Sequence, residues 1–246
     1  MLKNKRLRVF AGPNGSGKST LFNEFKKLYN PGYFINADEL EILLGTKGLI
    51  DLTEIGLKAH QKDLDNFKKS KAAQSLIKKA KKENRIINIE VAENFIVDKS
   101  KTTHSYEASF AASFIRHLLY KSNKSFSFET VMSHESKLEE IEEARENGYK
   151  TYLYFVCTDN PDINISRVEN RVDKGGHVVE QAKIRSRYPN TLKNLFQAIQ
   201  LSDRVYLFDN SGKKQVLLAE VFEGILEIKV NKLPQWFMNY VMPNYI

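Results

Sequence analysis

Residues Phe10–Thr20 read FAGPNGSGKST, and this stretch decides the fold class of the chain. Within it, Gly12, Gly17, Lys18 and Ser19 match the pattern G-x-x-x-x-G-K-S/T, which wraps the phosphates of a nucleoside triphosphate. Glycines allow a tight turn in which successive backbone N–H groups face one anion. The stretch therefore predicts a phosphate-binding loop.

The sequence on both sides of the loop supports this prediction. The apolar run Leu7–Ala11 precedes it, and the helix-compatible run Ser19–Tyr29 follows it and would direct the positive end of its dipole at the phosphates. Lys18 would reach the β- and γ-phosphates of ATP or GTP, and the Ser19 hydroxyl would bind Mg²⁺. The residues predicted to contact the nucleotide are Gly12, Asn14, Gly15, Ser16, Gly17, Lys18, Ser19 and Thr20.

Composition limits the class of protein. The chain has 246 residues, and its 41% hydrophobic content is sufficient for one large α/β domain. No apolar run is long enough for a membrane span, and no apolar leader follows the basic N-terminus. The single cysteine, Cys157, excludes an internal disulfide and fits a reducing cytoplasm, which is the location we expect. At a strand end, Cys157 is expected to be a buried, inert thiol.

Short apolar runs alternate with helix-like segments along the chain. Such alternation predicts an α/β fold with a parallel sheet covered by helices on both faces. Tyr106, Phe110, Phe114 and Leu118 recur every four residues and predict an amphipathic helix. Further helices are expected from Asp38 to Leu44, over 136–147, and from the Asn160-Pro161 start signal. The predicted strands are Leu7–Ala11, Tyr33–Asn36, Phe126–Thr130, Thr151–Cys157 and Arg204–Asp209.

Two segments break this alternation. Residues 50–104 are Lys-rich, and we interpret them as an insertion that carries a helix pair or a small hairpin. The tail 232–246 is rich in aromatic residues, including Trp236 and Phe237, and could cap the domain or bind a partner. The net charge of +8 is concentrated in the insertion. A charge run is usually a solvated helix face, but a basic surface also suits nucleic acid or acidic small molecules.

Carboxylates follow two of the predicted strands. In a parallel sheet, the functional side chains usually lie at these carboxyl ends of the strands. Asp38 follows the second strand and could accept a proton from a substrate hydroxyl or position Mg²⁺, although Asn36 or Asp38 could equally cap the next helix. Glu129 ends the third strand beside the Thr130 hydroxyl. A Glu at this position indicates metal or substrate contact, or a bond to a helix N-terminus.

A basic segment follows the fourth strand. Arginines that close over a moving phosphoryl group stabilise its charge, and a glycine pair would allow the segment to hinge like a lid. An ordinary basic surface helix followed by a Gly-rich turn is the alternative. The residues concerned are Arg167, Arg171, Lys174, Gly175, Gly176, His177, Lys183, Arg185 and Arg187.

Taken in order, these motifs resemble the zeta toxin family of P-loop kinases, over residues 6–46 and roughly 105–215. The more specific parts of the resemblance are Ser127–Thr130 followed by Ser133, and Gly175–Val178 leading into Ile184–Pro189. Asp209–Gly212, after the fifth strand, also resembles the chromosomal branch of this family. The resemblance implies a single P-loop kinase domain over 1–246, a five-stranded parallel sheet in the order 2-3-1-4-5, and 50–104 as an insertion.

The resemblance also implies an activity and roles for residues. Zeta toxins transfer the γ-phosphate of ATP, with Mg²⁺, to a hydroxyl of UDP-N-acetylglucosamine. By position, Asp38 would be the catalytic base, and Glu129 and Thr130 would contact the substrate. Arg171 and Arg185 would clamp the phosphate, although the spacing also admits Arg167 or Arg187. The partners implied are a small-molecule hydroxyl acceptor and an antitoxin protein, with no membrane.

Two other functions compete with a small-molecule kinase. The charge and the lysines suit a kinase acting on RNA or DNA ends, but few aromatic residues lie among the lysines to stack on bases, so nucleic acid is the weaker expectation. The aromatic tail suits a non-catalytic, nucleotide-gated binding module held by a partner.

Overall fold

A computed structural model describes residues 5–100, 104–173 and 178–245 of the chain. Its residues form two compact units. The first unit contains the chain up to Gly32 and from Phe126 onward, and the second contains Tyr33–Ser125. No helix within the described ranges is both long and apolar enough to cross a membrane.

The strands, in chain order, are β1 (Arg6–Ala11), β2 (Tyr33–Ile35), β3 (Leu49–Asp51), β4 (Ile89–Ala92), β5 (Phe95–Asp98), β6 (Phe126–Thr130), β7 (Lys150–Cys157), β8 (Arg204–Asp209), β9 (Val216–Phe222) and β10 (Ile225–Ile228).

The helices, in chain order, are α1 (Lys18–Leu28), α2 (Ala37–Lys47), α3 (Gln61–Phe67), α4 (Lys71–Lys82), α5 (Ser105–Lys121), α6 (Ser136–Glu146), α7 (Pro161–Val172), α8 (Gln181–Lys193), α9 (Leu195–Gln200) and α10 (Gln235–Tyr240), followed by a short 3-10 helix, Met242–Asn244.

The first unit is built on a mostly parallel sheet. Its strands lie in the order β10-β9-β8-β7-β1-β6. β6, β1, β7 and β8 run parallel to one another, whereas β9 and β10 are antiparallel to their neighbours. The parallel strands follow the predicted order, so the predicted α/β fold with a central parallel sheet is confirmed. Strands β9 and β10 were not among the predicted strands, although Glu223 and Gly224 between them, with φ of 51° and 78°, form a typical hairpin turn.

Burial of β1 on both faces explains why its sequence is almost continuously apolar. Residues 7–11 are all buried, as expected for a central parallel strand covered by helices. The Phe10 ring packs edge-on against Phe22 and Phe25 of α1 at 5.2 and 5.5 Å, and stacks on Tyr154 of β7 at 4.8 Å. This aromatic cluster fixes α1 against the sheet and thereby fixes the loop between β1 and α1.

The predicted start of α7 is confirmed. Asn160 caps α7 by accepting a hydrogen bond from the Asp162 N–H at 2.8 Å, and Pro161 occupies the first turn.

The aromatic tail packs into the first unit: Trp236 is 2% exposed, and the Phe237 side chain is fully buried. This packing fits the capping role that the sequence offered, and partner binding stays the other prediction.

The second unit contains the Lys-rich segment. This segment holds both features that the sequence offered as alternatives: the helix pair α3 and α4, and a β4–β5 hairpin joined by β3 in a three-stranded antiparallel sheet. Glu93 and Asn94 form the hairpin turn with φ of 48° and 68°. The predicted amphipathic helix is α5, in which Phe110, Phe114 and Leu118 are buried.

Cys157, at the end of β7, should be unreactive in the folded protein. Its side chain is fully buried, and burial raises the pKa of the thiol, so the nucleophilic thiolate is scarce at neutral pH. We expect iodoacetamide at pH 8 to label no thiol in the native chain and one thiol per chain in 6 M guanidinium, as counted by intact mass. Labelling of the native protein at the rate of a free thiol would contradict this burial.

Candidate functional site

The phosphate-binding loop connects β1 to α1, at the edge of the sheet where the parallel strands end. α1 begins at Lys18, and its N-cap, Gly17, adopts a left-handed conformation with φ of 103°. Glycine has no side chain to cap the helix, and no side-chain cap bond is made at this residue. The helix dipole adds positive potential at the same point.

The loop passes so close to neighbouring backbone that two of its glycines cannot carry a side chain. A Cβ on Gly12, where φ is 143°, would lie 2.0 Å from the carbonyl oxygen of Val156. A Cβ on Gly15, where φ is 74°, would lie 2.5 Å from the carbonyl oxygen of Asn164. Both glycines are therefore required by space as well as by conformation.

Two asparagines from outside the loop hold its backbone. Asn164 of α7 is fully buried and donates from Nδ2 to the Asn14 carbonyl at 2.7 Å, while its Oδ1 accepts a hydrogen bond from the Thr158 hydroxyl. Asn210, directly after β8, donates from Nδ2 to the Ser16 carbonyl at 2.7 Å.

Neither asparagine is predicted from the sequence to hold the loop. Asn210 lies in the motif Asp209–Gly212, which resembles the chromosomal zeta toxin branch, whereas Asn164 belongs to no predicted motif. The available signal was its position in a helix four residues before Val168, on the apolar face that packs inward.

Lys18, Ser19 and Glu129, predicted from two separate segments, lie together. The Ser19 hydroxyl lies 3.1 and 3.0 Å from the two carboxylate oxygens of Glu129. The Lys18 Nζ lies 3.8 Å from Glu129 Oε1 and donates to the Pro13 carbonyl at 2.9 Å. The exposed fractions of the Lys18 and Glu129 side chains are 6% and 15%. A largely buried carboxylate thus faces both a cation and the first turn of α1.

The oxygen atoms of this cluster fit Mg²⁺. The ion prefers hard oxygen ligands and usually takes one or two carboxylates together with water and substrate phosphates. The hydroxyl of Ser19 and the carboxylate of Glu129 provide two such ligands, which lie in direct hydrogen-bond contact. They are the residues that would hold a magnesium ion beside a bound triphosphate.

Two buried polar atoms of the loop and one beside it lack a hydrogen-bond partner among the residues that the structure describes. In the loop these are Asn14 Oδ1 and Ser16 Oγ, and the third is Gln215 Nε2. The Gln215 Nε2 lies 3.9 Å from the position that a Cβ on Gly17 would occupy. Buried polar atoms usually have a partner, so these three could pair with a bound ligand.

Thr130 connects the end of β6 to the phosphate-binding loop. Its carbonyl accepts a hydrogen bond from the Gly12 N–H at 3.2 Å, and its hydroxyl oxygen accepts one from the Met132 N–H at 3.1 Å. The second bond supports a turn in which Met132 has a φ of 59°. The backbone of Thr130 is therefore hydrogen-bonded to the loop, whereas contact between its hydroxyl and a substrate stays a prediction.

Asp38, the predicted base, lies in the second unit, in the first turn of α2. The side chain of Asn36 caps this helix by accepting a hydrogen bond from the Asp38 N–H at 2.9 Å. Of the two capping candidates, the structure thus assigns the cap to Asn36. The exposed Asp38 carboxylate is not needed for that purpose.

The predicted arginines lie on the paired helices α7 and α8, which pack through Ile165, Val168 and Ile184. Arg185 forms an ion pair with Asp162 at 2.6 Å, with both side chains more than half exposed, and such pairs contribute little to stability. Arg171 is exposed near the end of α7. Residues 174–177, which include the predicted glycine hinge and His177, lie outside the described residues.

Arg167 makes a contact that could not be predicted from the sequence. Its Nη2 donates to the Gly212 carbonyl at 3.3 Å. Gly212 belongs to the segment after β8 that also supplies Asn210 to the loop. Of the arginines considered, Arg167 is the one with a described hydrogen bond to this segment.

Comparison with known proteins gives structural neighbours and little sequence similarity. No family model matches the chain. An uncharacterized protein of Haemophilus influenzae is 29% identical over 72 residues, which make up 29% of this chain and 51% of that protein.

A chain from the crystal structure of AvrRxo1-ORF1:AvrRxo1-ORF2 with sulphate ions superposes with a TM-score of 0.53 at 18% identity, over 92% of this chain and 61% of that chain. The same complex with ATP gives a TM-score of 0.52 at 17% identity, over 92% and 61% of the two chains. This chain therefore spans less than two thirds of the length of that neighbour.

The PezAT chromosomal toxin-antitoxin system of Streptococcus pneumoniae gives a TM-score of 0.50 at 11% identity, over 89% of this chain and 72% of that chain. Together with the sheet order and the phosphate-binding loop, these neighbours support the resemblance to zeta toxin-like P-loop kinases. The chain has the P-loop kinase fold that its sequence predicts.

Proposed function

We propose that this chain is an ATP-dependent phosphotransferase that moves the γ-phosphate of ATP to a hydroxyl group of a small molecule. The observation that carries the proposal is the cluster of Lys18, Ser19 and Glu129 at the start of α1. A cation, a hydroxyl and a carboxylate beside the first turn of a helix are the parts that phosphoryl transfer needs. The ATP-bound neighbour of the same fold supports ATP as the nucleotide.

Each residue of the cluster has a defined task in this proposal. Lys18 would bind the β- and γ-phosphate oxygens and offset the charge that builds up as the phosphoryl group moves. Ser19 and Glu129 would hold Mg²⁺, which when bound neutralises the phosphate oxygens. Asn164 and Asn210 would keep the loop N–H groups aimed at the phosphates.

Transfer also needs a base and a clamp. Asp38 would accept the proton of the acceptor hydroxyl while the hydroxyl oxygen bonds to the γ-phosphorus and the bond from this phosphorus to the β–γ bridging oxygen breaks, which releases ADP. Arg171 and Arg185 would clamp the moving phosphoryl group. An arginine held in an exposed ion pair, as Arg185 is with Asp162, can exchange that partner at small cost.

For the acceptor, we propose a sugar nucleotide of the UDP-N-acetylglucosamine type. The support is the resemblance of Ser127–Thr130 to the zeta toxin motif. In support of a contact between Thr130 and the acceptor, Thr130 directly follows Glu129 and its carbonyl accepts a hydrogen bond from the Gly12 N–H of the loop. An antitoxin partner is proposed on the same basis, since the PezAT neighbour is a toxin-antitoxin system.

A second candidate, a kinase acting on polynucleotide ends, is favoured by one surface. Lys78, Lys81 and Lys82 are exposed on one face of α4, beside Ile77. Phosphate backbones bind such lysines in a strongly salt-dependent way. The residues that form this helix face include no aromatic ring for stacking on bases, so this candidate ranks below the first.

The proposal predicts a specific loss of activity in Asp38→Asn. With γ-labelled ATP, Mg²⁺ and a pool of UDP-sugars, nucleosides and short RNA, the wild-type chain should label a sugar nucleotide. Asp38→Asn should lower kcat by about 10²- to 10⁴-fold because the base is lost, while ATP affinity by calorimetry stays unchanged. Glu39→Gln, which removes the neighbouring exposed carboxylate, is the matched control, and Lys18→Ala is the blank.

Each outcome of this assay distinguishes the candidates. Full turnover in Asp38→Asn would remove Asp38 from the role of base. Label on RNA, lost on adding salt, would establish the second candidate instead. ATP binding without label on any acceptor would favour a nucleotide-gated binding module.

A further prediction concerns Glu129. Glu129→Gln should raise the Mg²⁺ concentration needed for tight ATP binding by about tenfold or more, because an amide replaces a carboxylate of the proposed metal site. Titration of ATP affinity against Mg²⁺ by calorimetry measures this directly. Glu24→Gln, which alters an exposed carboxylate of α1 paired with Lys27, should leave the Mg²⁺ dependence unchanged. Equal dependence in both variants would exclude Glu129 as a metal ligand.

A further inference from the structure

We propose that the C-terminal helix α10 positions the phosphate-binding loop, and that Trp236 is the positioning residue through which it acts. This inference rests on the proposed function, because it assigns a second part of the chain to the binding of ATP. It starts from a series of hydrogen bonds that lead from α10 to the loop within the first unit.

The first step joins α10 to the ends of two strands. The indole Nε1 of Trp236 donates to Asp209 Oδ1, at the end of β8, at 3.0 Å. The backbone N–H of the same residue donates to Asp159 Oδ1, just after β7, also at 3.0 Å. Trp236 is 2% exposed and packs against Phe155 with a ring separation of 5.8 Å. One buried residue thus fixes two carboxylates that follow neighbouring strands.

The second step joins the two strand ends to each other. The Asp209 carboxylate accepts hydrogen bonds from the Ser211 N–H at 3.0 Å and from its hydroxyl at 2.7 Å. The Ser211 hydroxyl oxygen in turn accepts a hydrogen bond from the Asp159 N–H at 2.8 Å. These hydrogen bonds therefore form a closed cycle through Trp236, Asp159, Ser211 and Asp209. The cycle includes both chain neighbours of Asn210.

The third step reaches the loop. Asn210 is held on one side by its N–H, which donates to the Cys157 carbonyl at 2.8 Å. On the other side its Nδ2 donates to the Ser16 carbonyl at 2.7 Å. The same nitrogen lies 2.3 Å from the position that a Cβ on Gly17 would occupy. Asn210 is thus in close contact with the residues directly before Lys18, and its position depends on both of its chain neighbours, Asp209 and Ser211.

These contacts have a functional consequence because the loop binds by the direction of its N–H groups. Rotation of the Ser16 carbonyl would turn the N–H of the same peptide unit, which belongs to Gly17. A bond that fixes this carbonyl therefore helps to aim the loop at an anion. Loss of the indole donor would leave the Asp209 carboxylate short of one buried partner and loosen the cycle that holds Asn210.

The experiment compares Trp236→Phe with the wild-type chain. Phenylalanine keeps an aromatic ring in the site and removes the indole N–H. We expect the Kd for ATP, measured by calorimetry well below the melting temperature, to rise about three- to tenfold, the size of coupling that a hydrogen-bond network carries. Met238→Ala, which changes an exposed side chain of the same helix, is the matched control and should leave the Kd unchanged.

A double-variant comparison separates positioning from stability. If Trp236 acts through Asn210, Trp236→Phe should weaken ATP binding much less when Asn210 has already been changed to Ala. A purely structural role for Trp236 would lower the melting temperature without a change in Kd at temperatures where the chain is folded.

The wild-type chain offers a measurement without a variant, because Trp236 is its only tryptophan. Saturation with ATP should change the tryptophan emission, and Lys18→Ala should abolish this change. This titration decides the question if Trp236→Phe does not fold. Unchanged emission, or an unchanged Kd in a folded Trp236→Phe chain, would overturn the inference. Failure of the wild-type chain to bind ATP would instead overturn the proposed function.

Discussion

The hydrogen bonds that hold the phosphate-binding loop from outside are the constraint on which the site depends. A loop rich in glycine has many conformations, and its N–H groups converge on one anion only if its carbonyls are fixed. Asn164 fixes the Asn14 carbonyl and Asn210 fixes the Ser16 carbonyl. Asn164 lies in the helix after β7, which is next to β1, and Asn210 follows β8, which is next to β7. The order of the strands therefore brings both asparagines within reach of the loop.

The electrostatics of the site follow from the same arrangement. Strand β6 pairs with β1 in parallel, with Phe10 opposite Glu129, so the end of β6 places its carboxylate beside the first turn of α1. There the positive end of the helix and Lys18 stabilise the charge of a side chain that is only 15% exposed. The same carboxylate bonds to the Ser19 hydroxyl, so two of the three interpretations of Glu129, as a metal ligand and as a partner of the helix N-terminus, describe one position. The third, contact with substrate, stays a prediction.

Features formed by residues close together in the sequence could be predicted, whereas contacts between residues far apart in the sequence could not. The loop and its flanking strand and helix are contiguous, and Glu129 follows from the rule that parallel strands end at one edge. The bond from Asn164 to Asn14 joins residues 150 positions apart and depends on how α7 packs, for which one helical asparagine gives little signal. The arginines were ambiguous for a similar reason: Arg167 and Arg171 share a helical face, and spacing alone does not say which one contacts Gly212.

The burial of Cys157 has a practical consequence for physical study of the molecule. Because the chain has one cysteine and its thiol is fully buried, a cysteine introduced at an exposed position would be the sole accessible attachment point for a probe. One spin label or fluorophore could then be placed at a chosen exposed position of either compact unit without removal of the native residue.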